Sequence, residues 1–384
     1  MNDPRRVLYL SPNGYLGGAE RACIDFCRVH QLYGRWNPTL LFLNPGVAVD
    51  EARKHHITTI VSPLRVRLSR PVLLGRAALW LREVVRLGQF DVIHSTMPYA
   101  HVVQGVALGG RPIKKVWYQH GPVGGSLDLL AQVFRYDWIL FNSEYLETEH
   151  FGRFALQRET SNAKVLHYPI FDEQDSSFTR DDIRRRHLSA GQTTLCLCAG
   201  RMTRWKGYDQ VVQALAVLKA TAPELVVQTR LLIVGSAQSI EDKAYERSLH
   251  QLVVDSGLQD SVSFLPFSPD VRLLMRAADL FIHASTTAEP FGLVVAEAML
   301  GGALVLSNGR GGVSEVLKEG ETGLTFNGEQ NGAGNLATTV GHVLNTLGRA
   351  PAEYDAMKTR ARTLIEQRHD PRRICMELES LYES

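Results

Sequence analysis

Short apolar runs recur along the chain, each followed by a longer amphipathic stretch. In the first half they fall at residues 7–10, 39–43, 58–61, 92–94, 116–119, 138–141 and 165–167, and in the second at 195–199, 231–234, 262–265, 280–283 and 304–306. Consecutive apolar residues over so short a span suit a strand covered on both faces. The intervening stretches, such as 20–32, 208–220 and 271–278, carry helical patterning. This βαβα alternation calls for parallel strands joined by crossover helices that cover both faces of a sheet.

With 384 residues the chain is long for one core and comfortable for two. The polar segment 172–179 (DEQDSSFT) separates the two series and marks a linker. The expected architecture is α/β: two doubly wound Rossmann-like domains, 1–175 and 176–360, facing a central cleft. The stretch 353–384 is polar and helical apart from Asp370-Pro371, too polar for either core, and from 361 onward is expected to pack back across the domain junction.

Charge and cysteine usage narrow the function. A net charge of +2 supplies no field for nucleic acid. The five cysteines (Cys23, Cys27, Cys196, Cys198 and Cys375) are odd in number and lack C-x-x-C spacing, which argues against a disulfide framework or a zinc site. They read as small buried apolar residues suited to a reducing compartment. The opening MNDPRR-VLYLSP is too short in apolar residues for a signal peptide, and no stretch is long enough to span a bilayer. The expected location is cytoplasmic, with peripheral contact to a membrane face left open.

Ligands of open parallel sheets bind beyond the carboxyl ends of the strands. There the chain carries His283-Ala284-Ser285-Thr286-Thr287-Ala288-Glu289-Pro290-Phe291-Gly292-Leu293-Val294-Val295-Ala296-Glu297-Ala298-Met299. A strand ending near His283 and a helix beginning near Phe291 would leave the amides of Phe291, Gly292 and Leu293 pointing from a helix N-terminus, an anion site fit for a pyrophosphate. Glu289 and Glu297 are too far apart to share one proton. Each carboxylate can take two hydrogen bonds from a vicinal diol, so together they could grip two ends of a long ligand. On position alone, Glu289 reads equally as a helix N-terminal acid and Glu297 as a solvated face.

The string Glu-Pro-Phe-Gly-Leu-Val-Val-Ala-Glu-Ala-Met resembles the signature of retaining glycosyltransferases of family 4, which have the GT-B fold. The resemblance continues in order through Gly17-Gly18-Ala19-Glu20, His120-Gly121, Gly200-Arg201-Met202-Thr203-Arg204-Trp205-Lys206-Gly207, Gly311-Gly312-Val313-Ser314-Glu315 and Gly320-Glu321-Thr322-Gly323. It implies transfer of a hexosyl unit, with retained configuration, from a nucleoside-diphosphate sugar (UDP favoured) to an acceptor hydroxyl in glycan, glycolipid or polysaccharide synthesis. Arg201 and Lys206 would hold the departing diphosphate. Glu289 would contact hydroxyls of the donor sugar and Glu297 those of the ribose. His120 would face the transferring sugar, and Gly17-Gly18 would let backbone approach the donor. Gly235 and the backbone up to Phe267 would hold the base, although Gly235-Ser236-Ala237 departs from the family's usual turn. The resemblance thus implies Glu289, His120, Lys206 and Arg201 as catalytic groups, with Glu297, Phe291, Gly292 and Leu293 completing the donor site. Neither a cofactor nor a metal is expected, because no Asp-x-Asp cluster stands in a credible position. No carboxylate presents itself as a covalent nucleophile, which points to a same-face displacement.

The resemblance implies a sugar, a lipid-linked sugar or a small molecule as acceptor. Residues 64–90 set Arg65, Arg67, Arg70, Arg76, Arg82 and Arg86 against the single acid Glu83, interleaved with Val72, Leu73, Leu74, Leu79, Trp80 and Leu81. A domain helix with a solvated basic face and a helix lying on anionic lipid both fit this pattern. Two rival functions share the sequence features: a GT-B sugar-nucleotide epimerase, which needs no acceptor, and a non-catalytic nucleotide-sugar-binding protein.

Overall fold

A computed structural model describes residues 5–155, 162–172, 178–268, 271–328 and 332–384. The chain divides into two units, Met1–Phe171 with Arg368–Ser384, and Asp172–Gln367. Of the expected linker, residues 173–177 lie outside the described residues.

The first unit is built on seven parallel strands: β1 (Arg6–Ser11), β2 (Asn37–Phe42), β3 (Thr58–Val61), β4 (Val92–Thr96), β5 (Lys114–Gln119), β6 (Trp138–Phe141) and β7 (Ala163–Val165), in the order β3-β2-β1-β4-β5-β6-β7. The order reverses at β1, where Leu8 pairs with Thr39 on one side and Ile93 on the other. Val7 through Leu10 are fully buried, as continuous apolar patterning requires of a central strand. β7 lies two residues earlier than the apolar run 165–167. It is an edge strand whose residues are only half-buried, so its pairing is set by β6 and not by burial.

The helix Gly18–Tyr33 packs Ala22, Cys23, Phe26 and Cys27 into this core. All five cysteines are buried and free. The closing helix Pro371–Glu383, capped by the Asp370 carboxylate on the Arg372 amide, overturns the expectation that this segment is too polar for a core. Its stripe of Ile374, Cys375, Leu378, Leu381 and Tyr382 is buried in the first unit.

The second unit repeats the plan with β8 (Thr194–Ala199), β9 (Thr229–Val234), β10 (Val262–Leu265), β11 (Leu280–His283), β12 (Leu304–Ser307) and β13 (Leu324–Thr325), all parallel in the order β10-β9-β8-β11-β12-β13. β13 has two residues, too few to register as an apolar run. Because every strand points the same way, the loops after β8, β9, β10, β11 and β12 leave from one edge of the sheet, where ligands of such sheets bind. Each unit is thus a Rossmann-like α/β domain.

Candidate active site

Three loops on that edge meet at Glu289. The loop after β8 forms a 3-10 turn, Arg204–Lys206, ended by Gly207 in the left-handed conformation (φ +67°). A Cβ there would overlap the carbonyl oxygen of Ala284, so glycine lets the β8 loop lie flat on the segment that follows β11. The Thr286 amide closes the contact by donating to Trp205 O at 2.7 Å. Lys206 is thereby carried to Glu289, with Nζ 2.6 Å from Oε1.

The same oxygen accepts the Ser285 hydroxyl at 2.5 Å and lies 2.6 Å from His283 Nε2, while His283 Nδ1 lies 2.9 Å from Ser307 Oγ on β12. Glu289, Lys206, His283, Ser285 and Ser307 are all buried. Burial pushes the Glu289 carboxyl up, but the Lys206 ammonium and then His283 outweigh it and hold the group well below the usual carboxylate range. Glu289 is therefore ionised at neutral pH, with Oε1 taken by three donors and Oε2 taking none of these bonds.

The helix that follows runs Leu293–Gly301 and starts two residues later than expected. Gly292 is its N-cap in the left-handed conformation (φ +86°, ψ +51°), which places Phe291 before the helix. Val295 already donates to Gly292 O at 2.9 Å, so the amides at the open end are those of Gly292, Leu293 and Val294. Glu297, one turn in, is buried rather than solvated. Arg272, from the helix Val271–Ala277, reaches its Oε1 with Nε at 3.0 Å and Nη2 at 2.7 Å.

Arg201 is exposed, its guanidinium 6.0 Å from the centre of the Trp205 ring, and Lys206 Nζ lies 4.5 Å from the same ring. A Cβ on Gly235 would overlap the Gly200 carbonyl oxygen, so the loops after β8 and β9 run in backbone contact. Phe267 is exposed, and its amide donates to Ser236 Oγ at 3.0 Å. Loops carrying Arg201, Lys206, Gly235, Phe267, Glu289 and Gly292 are therefore joined along one edge.

The remaining expected residues belong to the first unit. Gly17 caps the helix Gly18–Tyr33, and its amide donates to Glu20 Oε2 at 3.2 Å, so Glu20 acts as a capping acid. Among the described residues nothing stands within 4 Å of a Cβ on Gly18. His120 follows β5 and is buried, with Nδ1 2.8 Å from the Tyr168 hydroxyl, and Nε2 has no hydrogen-bond partner among the described residues. Burial pushes His120 down to about 3, so it is neutral at pH 7.

Two further features of the first unit bear on partners. Among the described residues one group of potential metal ligands comes together, His30, Cys375 and Glu379, but Glu379 Oε1 already accepts from His30 and from the amides of Arg35 and Trp36. The helix Pro71–Gly88 buries Ala77, Ala78 and Leu81 and turns Val72, Arg76, Leu79, Glu83, Arg86 and Leu87 outward. Arg86 is paired with Glu83, and Arg82 donates to Ala107 O. Arg65, Arg67, Arg70 and Arg76 are exposed. No helix among the described residues is long and apolar enough to cross a membrane.

Sequence patterning missed His283, Ser285, Ser307 and Arg272 as partners of the two glutamates. A polar residue ending the run Leu-Phe-Ile-His was the available signal for His283. Arg272 lies 25 residues from Glu297 and had none.

Residues 16–161 match glycosyltransferase family 4, and residues 179–345 match the glycosyl transferases of group 1. The chain is 26% identical to an α-1,3/1,6-mannosyltransferase of Neurospora crassa, over 90% of this chain and 84% of that one. It is 35% identical to a D-inositol 3-phosphate glycosyltransferase of Pseudarthrobacter chlorophenolicus over 63% of this chain, and spans 60% of that protein's length. Among solved structures, HepE of Anabaena in complex with UDP and glucose superposes with a TM-score of 0.82 at 25% identity, covering 99% of this chain and all (100%) of that one. WaaG, a glycosyltransferase involved in lipopolysaccharide biosynthesis, shares the fold with a TM-score of 0.71 at 17% identity, covering 98% and 99%.

Proposed function

This chain belongs to glycosyltransferase family 4, with the GT-B fold, and we propose that it is a retaining hexosyltransferase whose donor is a nucleoside-diphosphate sugar, a UDP-sugar first. The observation that carries the reading is the buried cluster in which Lys206 and His283 hold an ionised Glu289 beside the open end of the helix Leu293–Gly301. HepE, similar over its whole length, was crystallised with UDP and glucose, which favours UDP-glucose as the first donor to try.

Each residue has a part. Lys206, Arg201 and the amides of Gly292, Leu293 and Val294 take the charge that grows on the departing diphosphate. Oε2 of Glu289 accepts hydroxyls of the hexose, and Glu297, steadied by Arg272, accepts those of the ribose. A carboxylate whose Oε1 already serves three donors and whose basicity is suppressed is a poor nucleophile. The acceptor therefore attacks from the face the diphosphate leaves, and a phosphate oxygen takes its proton. Cationic side chains neutralise the diphosphate, so EDTA is expected to leave turnover unchanged.

The exposed stripe of Val72, Leu79 and Leu87 among Arg65, Arg67, Arg70 and Arg76 suits an anionic lipid surface and hence a lipid-linked acceptor. Flotation with phosphatidylglycerol vesicles but not phosphatidylcholine vesicles supports that contact, and equal recovery from both removes it.

The donor reading is tested by thermal shift and slow hydrolysis across UDP-, GDP- and ADP-hexoses, with wild type, Lys206→Ala and Glu289→Ala. Hydrolysis that both substitutions abolish supports it. No response of the wild type to any nucleotide overturns it.

A further inference from the structure

The Glu-x7-Glu pattern does not account for His283, the residue that ends β11. Its ring is engaged on both nitrogens. Nε2 lies 2.6 Å from Glu289 Oε1 and 3.1 Å from Ser285 Oγ, and Nδ1 lies 2.9 Å from Ser307 Oγ. Ionised Glu289 can only accept, so Ser285 and His283 both donate to it, and hydrogen must sit on Nε2. The single Ser285 hydroxyl hydrogen goes to Glu289 at 2.5 Å, which makes the 3.1 Å contact a second branch of the Nε2–H bond. Ser307 faces His283 across paired strands and also accepts the Gly309 amide at 3.2 Å. The imidazole is thus fixed by two strand ends, with its N–H aimed at Oε1.

We infer that His283 is the positioning residue for Glu289, saturating Oε1 from the protein side so that Oε2 is presented to the hydroxyls of the donor hexose. The inference rests on the reading of Glu289 as a donor-sugar contact and adds a residue that sets its geometry. Lys206 cannot do this alone. It is a point charge on a flexible stem, and under the same reading its ammonium must also serve the diphosphate. His283 carries no such second duty and cannot swing, because Ser307 holds its far nitrogen. Its effect should therefore fall on turnover of a sugar-bearing donor and leave UDP itself, which has no hexose, indifferent.

Two substitutions separate the halves of the ring. Gln places an amide N–H near the position of Nε2, whereas Asn places one near Nδ1. The full chain of each variant is assayed for kcat and KM of UDP-glucose hydrolysis, for UDP affinity by calorimetry, and for Tm. His283→Ala is expected to lower kcat about 10- to 100-fold, the range of one charge-assisted hydrogen bond, with UDP affinity within about twofold. His283→Gln should recover most of the loss and His283→Asn should not. Turnover of His283→Ala within twofold of wild type overturns the inference, as does a loss of UDP affinity equal to the loss of turnover or equal rescue by Asn. A wild type that neither binds UDP nor hydrolyses UDP-glucose instead strikes the donor reading, and the inference falls with it.

Discussion

Glu289 and Glu297 share one arrangement: each carboxylate is buried and gripped through Oε1, the first by Lys206, His283 and Ser285 and the second by Arg272. On the proposed reading the grips serve different ends of the donor, so their loss should register differently. Arg272→Ala leaves Glu297 buried without its cation and frees it to turn away from the ribose. UDP affinity should fall by about 10- to 100-fold, the range of hydrogen bonds to charged groups, while kcat at saturation changes little; calorimetry with UDP beside UDP-glucose kinetics decides it. Glu289 also yields a pH prediction. Its folded pKa is depressed, so its stabilising contribution is complete above the unfolded value of about 4.3 and fades as pH falls from there through the lower folded value. The stability gap between wild type and Glu289→Gln, from urea midpoints, should be widest near pH 6–7 and narrow steadily towards pH 3. A gap that widens on acidification contradicts the assignment. The sequence exposed the glutamates and the two cations because their spacing is local. It hid Ser307 and Arg272 as partners because those contacts form across strands and between helices, where spacing along the chain carries no information, whereas His283, six residues before Glu289, left only the polar end of an apolar run as its signal.

The turn Gly311-Gly312 follows β12 and lies against the segment that carries Glu289. Gly311 makes an isolated parallel bridge with Glu289, and the Gly312 amide donates to Glu289 O at 2.8 Å. Gly311 has φ +69°, and a Cβ on it would overlap that same carbonyl, while one on Gly312 would overlap Pro290 O. Close backbone approach thus explains the Gly-Gly pair, which sequence reading knew only as part of a pattern. Gly320 has the same φ of +69° with nothing among the described residues within 4 Å of a Cβ, and so serves as the control. Gly320→Ala should cost about 1–2 kcal/mol of left-handed strain and leave hydrolysis intact. Gly311→Ala should lower Tm further and reduce hydrolysis at least tenfold (~1.4 kcal/mol), because the Glu289 backbone must move. Equal Tm and equal turnover in the two variants would refute the docking role. The start of the next helix was misplaced for a related reason. Pro290 suggested a helix entry near Phe291, but Pro290 belongs to the docked segment, and the left-handed Gly292 delays the helix to Leu293. The strands were legible because parallel sheets demand continuous apolar runs. β13 and the placement of β7 escaped because edge strands carry little burial.

At the scale of the molecule the chain's last helix completes the unit that its first strand begins. Pro371–Glu383 has only a narrow apolar stripe, Ile374, Leu378, Leu381 and Tyr382, between charged residues, and so read as surface. Its polar groups reach inward as well. The Tyr382 hydroxyl lies 2.6 Å from His94 Nδ1 and 3.0 Å from the Tyr9 hydroxyl, on β4 and β1 at the centre of the sheet, and Glu379 lies 3.0 Å from His30 Nδ1. Lys114 Nζ donates to the Tyr382 carbonyl at 3.0 Å, and the Ile170 amide to His369 O at 3.1 Å. Fully burying each large apolar side chain contributes about 1.5–3 kcal/mol, and a domain has only about 5–15 kcal/mol in all. Deleting residues 368–384 should therefore unfold the first unit outright while the second, whose core draws nothing from this helix, keeps a cooperative transition. Limited proteolysis of the truncated chain should yield a protected fragment within Asp172–Gln367 and none from Met1–Phe171, and calorimetry should show one transition missing. The milder Tyr382→Phe keeps the packing and removes the hydroxyl shared by His94 and Tyr9. It should cost about 1–3 kcal/mol and lower only the first unit's transition. Protection of the first unit after the deletion would show instead that its sheet closes without the returning helix.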